Sequence, residues 1–119
     1  MAEQRRVYKI AEQIRSVIAT EMYNLADPRF TLVTITSVVV NADLKHAKIY
    51  WSVLQSEFKQ KEIEEAFKSA AGILRRVLAK KLLIRHIPAI RFYYDNTAET
   101  SIEVQRLLEG IKGGREEEE

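Results

Sequence analysis

Residues 68–91 read KSAAGILRRVLAKKLLIRHIPAIR, and the way this stretch divides decides the fold. Ala70, Leu74, Val77, Leu78 and Leu82 recur at three- and four-residue spacing, the pattern of a helix with one buried stripe. Gly72 interrupts it. A glycine in a helix interior costs about 1 kcal/mol relative to alanine, so it marks either a kink or a boundary. The sequence predicts two short helices, 61–71 and 73–84, meeting at an angle at Gly72. Pro88 ends the helical region. Beyond it Ile90, Phe92 and Tyr94 alternate with Arg91, Tyr93 and Asp95, which predicts a strand.

The same stretch is strongly basic. Lys68, Arg75, Arg76, Lys80, Lys81, Arg85 and Arg91 lie in it without one Asp or Glu, while carboxylates lie on both sides. A solvated helix face is the ordinary fate of charged residues, but such a face mixes signs and gains about 0.2–0.5 kcal/mol per favourable i,i+4 pair. Here like charges sit four to five residues apart and repel. A phosphate backbone would relieve that repulsion by neutralising the cations and releasing counterions. The pattern therefore points to a polyanion, with nucleic acid as the natural partner.

Upstream, Val7, Ile10, Ala11, Ile14, Val17, Ile18 and Met22 give residues 5–24 the spacing of an amphipathic helix. Asp27-Pro28-Arg29 is a turn. Residues 31–40 (TLVTITSVVV) are rich in β-branched side chains, which favour a strand. After turn residues at 41–44, Ala47, Ile49, Trp51 and Val53 alternate with His46, Lys48, Tyr50 and Ser52. Two strands joined by a short turn predict an antiparallel hairpin with one buried face. Downstream, residues 98–111 predict a last helix with Ile102, Leu107, Leu108 and Ile111 as its contacts. The expected architecture is α+β: a three-stranded sheet with helices on one face, a two-layer sandwich. A single domain is expected over residues 1–112, followed by a disordered acidic tail at 113–119.

Composition narrows the function. The 119-residue chain has no cysteine, which excludes disulfides, thiolate metal sites and cysteine nucleophiles. No apolar run approaches the roughly 18 residues of a membrane span, and no secretory signal opens the chain. A cytoplasmic protein is the expectation. The formal net charge is +2, but the four glutamates at 116–119 mask a more basic body. His46 and His86 fall in different elements without metal-ligand spacing. Asp27, Asp43 and Asp95 sit at turns, where a carboxylate caps backbone N–H groups. No catalytic constellation is visible, so neither an enzyme nor a cofactor is expected. Tyr50 and Tyr93 lie on polar sides of their strands, where they either stack on a base or cover the edge of the sheet.

The chain resembles the ribosome-binding factor A family. The matching pieces are residues 6–15 (RVYKIAEQIR), Asp27-Pro28-Arg29, 33–36 (VTIT), 43–50 (DLKHAKIY), 52–54 (SVL), 70–76 (AAGILRR) and 88–95 (PAIRFYYD). They occur in the family's order across residues 5–111. The resemblance implies a type II KH-like fold in which a helix–kink–helix, carried here by Ala70, Ala71 and Gly72, replaces the GxxG loop. The formal GxxG match at Gly110-Ile111-Lys112-Gly113 reads instead as a helix stop. The resemblance also implies binding to the small (30S) ribosomal subunit, assistance in late maturation of 16S ribosomal RNA, particularly its 5′ end, and a role in the cold. It implies no catalytic activity and no cofactor, and nothing demands more than a monomer.

On this reading Arg75, Arg76, Lys80, Lys81 and Arg85 contact RNA, and Lys45 and Lys48 on the hairpin extend the patch. The competing reading is a protein-interaction module that docks through its sheet edge or first helix without touching RNA.

Overall fold

A helix fixed by apolar spacing opens the fold. In the computed structural model, which describes residues 2–97 and 105–109, α1 runs Ala2–Asn24. Its stripe of Ile10, Ala11, Ile14, Ile18 and Met22 is buried. The Tyr23 hydroxyl donates to the Val33 carbonyl at 2.8 Å, tying the end of α1 to the first strand. Between them, Asp27 caps the short 3-10 turn Pro28–Phe30 by accepting from the Arg29 backbone N–H, and Phe30 drops into the core.

The predicted hairpin forms. β1 (Val33–Val40) pairs antiparallel with β2 (His46–Val53), with a bulge at Thr36, between Ile35 and Ser37. Leu44 adopts a left-handed φ of 61°, and Asp43 accepts from the Lys45 backbone N–H. Ala47, Ile49 and Trp51 are buried as their alternation requires. β3 (Ala89–Tyr94) pairs with the other side of β2 in parallel, so the sheet order is β1-β2-β3 with β2 central. A parallel pair needs a long crossover, normally a helix.

That crossover is α2, Gln60–Lys81. Its N-terminus is secured by the Glu62 carboxylate accepting from the Lys59 N–H, and its end by the Leu82 N–H donating to the Leu78 carbonyl. The helix is one continuous element through Gly72, so the expectation of two separate helices is corrected: Gly72 is not a boundary. Buried residues on both sides of it, Phe67 and Ala70 before, Leu74 and Leu78 after, hold the two halves to one core stripe. Their burial outweighs the roughly 1 kcal/mol that glycine costs.

α1 and α2 cover one face of the sheet, giving the two-layer α+β sandwich. Its centre is aromatic: Phe67 lies 4.8 Å from Phe30, 5.5 Å from Trp51 and 4.4 Å from Phe92 between ring centroids. Residues 105–109 are helical as predicted, but Leu107 and Leu108 are exposed rather than core contacts. The inward face of the sheet is already covered by α1 and α2. Ile102, Ile111, Gly110 to Gly113 and the acidic tail lie outside the described residues.

Candidate nucleic-acid interface

Helical geometry sorts the residues of α2. At 3.6 residues per turn, positions four apart form a ridge along the surface. Ile63, Phe67, Ala70, Leu74 and Leu78 face the core. On the opposite side Lys68, Gly72, Arg76 and Lys80 follow one another at i,i+4 spacing, with Arg75 alongside. All five are exposed. Among the described residues Arg75, Arg76 and Lys80 have no ion-pair partner, and neither does exposed Arg85 just beyond the helix. Lys80 and Lys81 also lie in the last turn, where a cation offsets the negative end of the helix dipole.

Lys81 differs from its neighbours. Its Nζ lies 3.1 Å from Glu21 Oε1 of α1, so it joins the two helices. This partner was not visible in the sequence, because it depends on how α1 and α2 cross.

Lys48 does not continue the ridge. Lys48 alternates with Ala47 and Ile49, which are buried against the helices, so it stands on the open face of the sheet, away from α2. There it is in register with Arg91 of β3. Lys45 sits in the hairpin turn, where its carbonyl accepts from the Ala89 N–H. A groove of about 480 Å³ between α2 and β3 is lined by Glu64, Phe67, Lys68, Arg91, Phe92 and Tyr93, among others. Trp51 also lines it, and the buried Trp51 Nε1 has no hydrogen-bond partner.

Ala70, Ala71 and Gly72 divide by exposure. Ala70 packs in the core, Ala71 is half-buried, and Gly72 is exposed. A Cβ added at Gly72 would meet nothing within 4 Å, and the φ of Gly72 is not positive. Nothing inside the chain therefore requires glycine there. Gly72→Ala is expected to raise unfolding stability by about 1 kcal/mol through helix propensity. Gly72→Pro is expected to lower it by about 3 kcal/mol or more, because it removes a helical N–H and clashes with the preceding turn. Urea titration of the three proteins checks both signs.

The turn carboxylates behave as caps. Asp27, Asp43 and Asp95 each accept from the backbone N–H two residues on, at 3.0, 2.9 and 2.9 Å. The Arg29 guanidinium, hydrogen-bonded to the Asp27 carboxylate, holds it below the usual carboxylate range. Hydrogen bonds from Thr97 and then Thr36 do the same for Asp95. His46 and His86 are exposed, and among the described residues no group of His, Asp and Glu could hold a metal ion. No helix among them is long and apolar enough to cross a membrane. What the arrangement offers is a ridge of unpaired cations on one layer and a second pair on the other.

Comparison with known proteins shows the family and the fold. The family model described as ribosome-binding factor A matches residues 6–108. A ribosome-binding factor A from Thermomicrobium roseum is 38% identical over 115 residues, covering 96% of this chain and 89% of that protein. The crystal structure of ribosome-binding factor A from Thermus thermophilus superposes with a TM-score of 0.66 at 24% identity, over 74% of this chain and 94% of that one. A homology model of the Thermus thermophilus ribosome binding factor A, fitted into the cryo-electron-microscopy map of a 30S complex, matches with a TM-score of 0.59 at 24% identity, over 71% and 90%.

Proposed function

The chain belongs to the ribosome-binding factor A family, and on that premise we propose that it is a non-enzymatic assembly factor that docks on the small (30S) ribosomal subunit through the basic ridge of α2. In this role it assists late maturation of 16S ribosomal RNA, especially at the 5′ end, and supports growth in the cold. The observation that carries the docking mode is the ridge itself. Arg75, Arg76 and Lys80 stand exposed and unpaired on a helix face where their mutual repulsion has no internal relief. Phosphates supply that relief, and they make binding depend steeply on salt. Arg85 extends the contact beyond the helix end, while Lys81 divides its charge between Glu21 and the partner.

Because the ridge reads charge rather than base edges, recognition leans on the shape of folded RNA. Sedimentation of the protein with purified small subunits through sucrose gradients, across a salt series, tests this. Comigration with free small subunits at low salt and progressive release as salt rises is the expected result. Binding that ignores salt, or that survives nuclease digestion of the RNA, would replace this reading with a protein-interaction module.

A further inference from the structure

The sheet has a face that α1 and α2 do not cover. Side chains on it form rows across the strands: Ser37, Tyr50 and Tyr93 in one, Val39, Lys48 and Arg91 in the next. No helix of the described residues packs on this side, since the buried residues of α1 and α2 all meet the inward face. The three strands contain no Asp or Glu, and the carboxylate that follows β3, Asp95, accepts from the Thr36 hydroxyl at 2.7 Å and from the Thr97 N–H at 2.9 Å.

Two features of the rows are unusual for a surface that serves only the fold. Lys48 and Arg91 occupy registered positions on neighbouring strands, whose backbones run about 4.8 Å apart, so two like charges spring from adjacent points of the sheet. Like charges directly across from each other destabilise a sheet unless an anion lies between them. Beside them Tyr50 and Tyr93 place their ring centroids 5.8 Å apart and 33° from coplanar. Tyr93 is 39% exposed, so its ring is open to solvent. Aromatic rings next to backbone-neutralising cations are the combination that holds single-stranded nucleic acid, because every base has a π-face to stack.

We infer that this open sheet face is a second RNA-binding surface, distinct from the α2 ridge, which takes a single-stranded segment with unstacked bases on Tyr50 and Tyr93 and its phosphates against Lys48 and Arg91. A duplex would satisfy the cations but keep its bases away from the rings. An acidic peptide would likewise use the charges and leave the rings idle. The assignment rests on the preceding reading only in taking RNA as the partner.

Fluorescence anisotropy of the full chain with a labelled, unstructured oligouridylate, and with an RNA duplex as control, tests it. The wild-type protein should bind the single strand in preference to the duplex. Tyr50→Leu/Tyr93→Leu should lower single-strand affinity about tenfold or more, the loss of one or two stacked bases. Tyr50→Phe/Tyr93→Phe, which keeps the rings, should bind as the wild type does. Should the leucine pair fail to fold, Lys48→Gln/Arg91→Gln carries the same test. Its log–log salt slope should fall by about 1.4, two single-strand phosphate contacts.

A folded leucine variant that binds like the wild type overturns the inference, as does equal loss in the leucine and phenylalanine variants. So does a wild-type protein that does not bind the oligonucleotide while still sedimenting with small subunits, and that outcome leaves the α2 ridge standing. Ultraviolet cross-linking of the small-subunit complex adds a direct readout. Nucleotide adducts on Tyr50 or Tyr93 support the surface, and contacts of this face with ribosomal protein alone overturn it.

Discussion

Arg75→Gln/Arg76→Gln/Lys80→Gln is expected to fold as the wild type does and to bind purified small subunits about a hundredfold more weakly at moderate salt, with its log–log salt slope flatter by about 2–3 units. All three side chains are exposed and none is in an ion pair among the described residues, so their removal leaves the core untouched. It also removes repulsion within the helix, so thermal stability should hold or rise slightly. Lys81 is deliberately left in place, because neutralising it would break the contact with Glu21 that joins α1 to α2. Equilibrium binding across a salt series reads both numbers. An unchanged slope in a folded variant would remove the ridge from the interface.

The second large effect lies in the core. Phe67→Ala is expected to destabilise the domain by about 3–5 kcal/mol, from lost transfer energy and the cavity left behind. The Phe67 side chain is fully buried, and its ring touches the 3-10 turn through Phe30, β2 through Trp51 and β3 through Phe92. Each such ring pair adds roughly 0.5–1.5 kcal/mol beyond its buried area. Against a typical total of about 5–15 kcal/mol, that loss leaves a marginal protein. A drop of about 2 M in the urea midpoint is the expected reading. A shift below about 0.5 M would mean that the core collapses around the gap and that the ring contacts contribute little.

Most of the elements were legible in the sequence because they depend on near neighbours. The stripe of α1, the alternation of β2 and the capping aspartates all follow from residues within a few positions of one another. Gly72 misled because propensity was set against packing that the sequence does not display. Phe67 and Ala70 on one side, Leu74 and Leu78 on the other, belong to one buried stripe, and that stripe carries the helix through. The basic character of α2 was legible from composition alone, but its arrangement was not. The pairing of Lys81 with Glu21 depends on a helix crossing, and that of Lys48 with Arg91 on a strand direction. For Lys48 a signal did exist. Its alternation with Ala47 and Ile49 already placed it away from any helix that covers them, so it could not extend a patch on α2.

The parallel pairing of β2 with β3 also sets an order of events during synthesis. The β1–β2 hairpin needs only a short turn to close, whereas β3 can join only after the whole crossover helix has been made. Tyr50 and Lys48 therefore wait for Tyr93 and Arg91. Each row of the open face is half-built until the last strand arrives, so a nascent or truncated chain lacks that surface even when its hairpin is native. Completion of the sheet is therefore what brings the two halves of each row together.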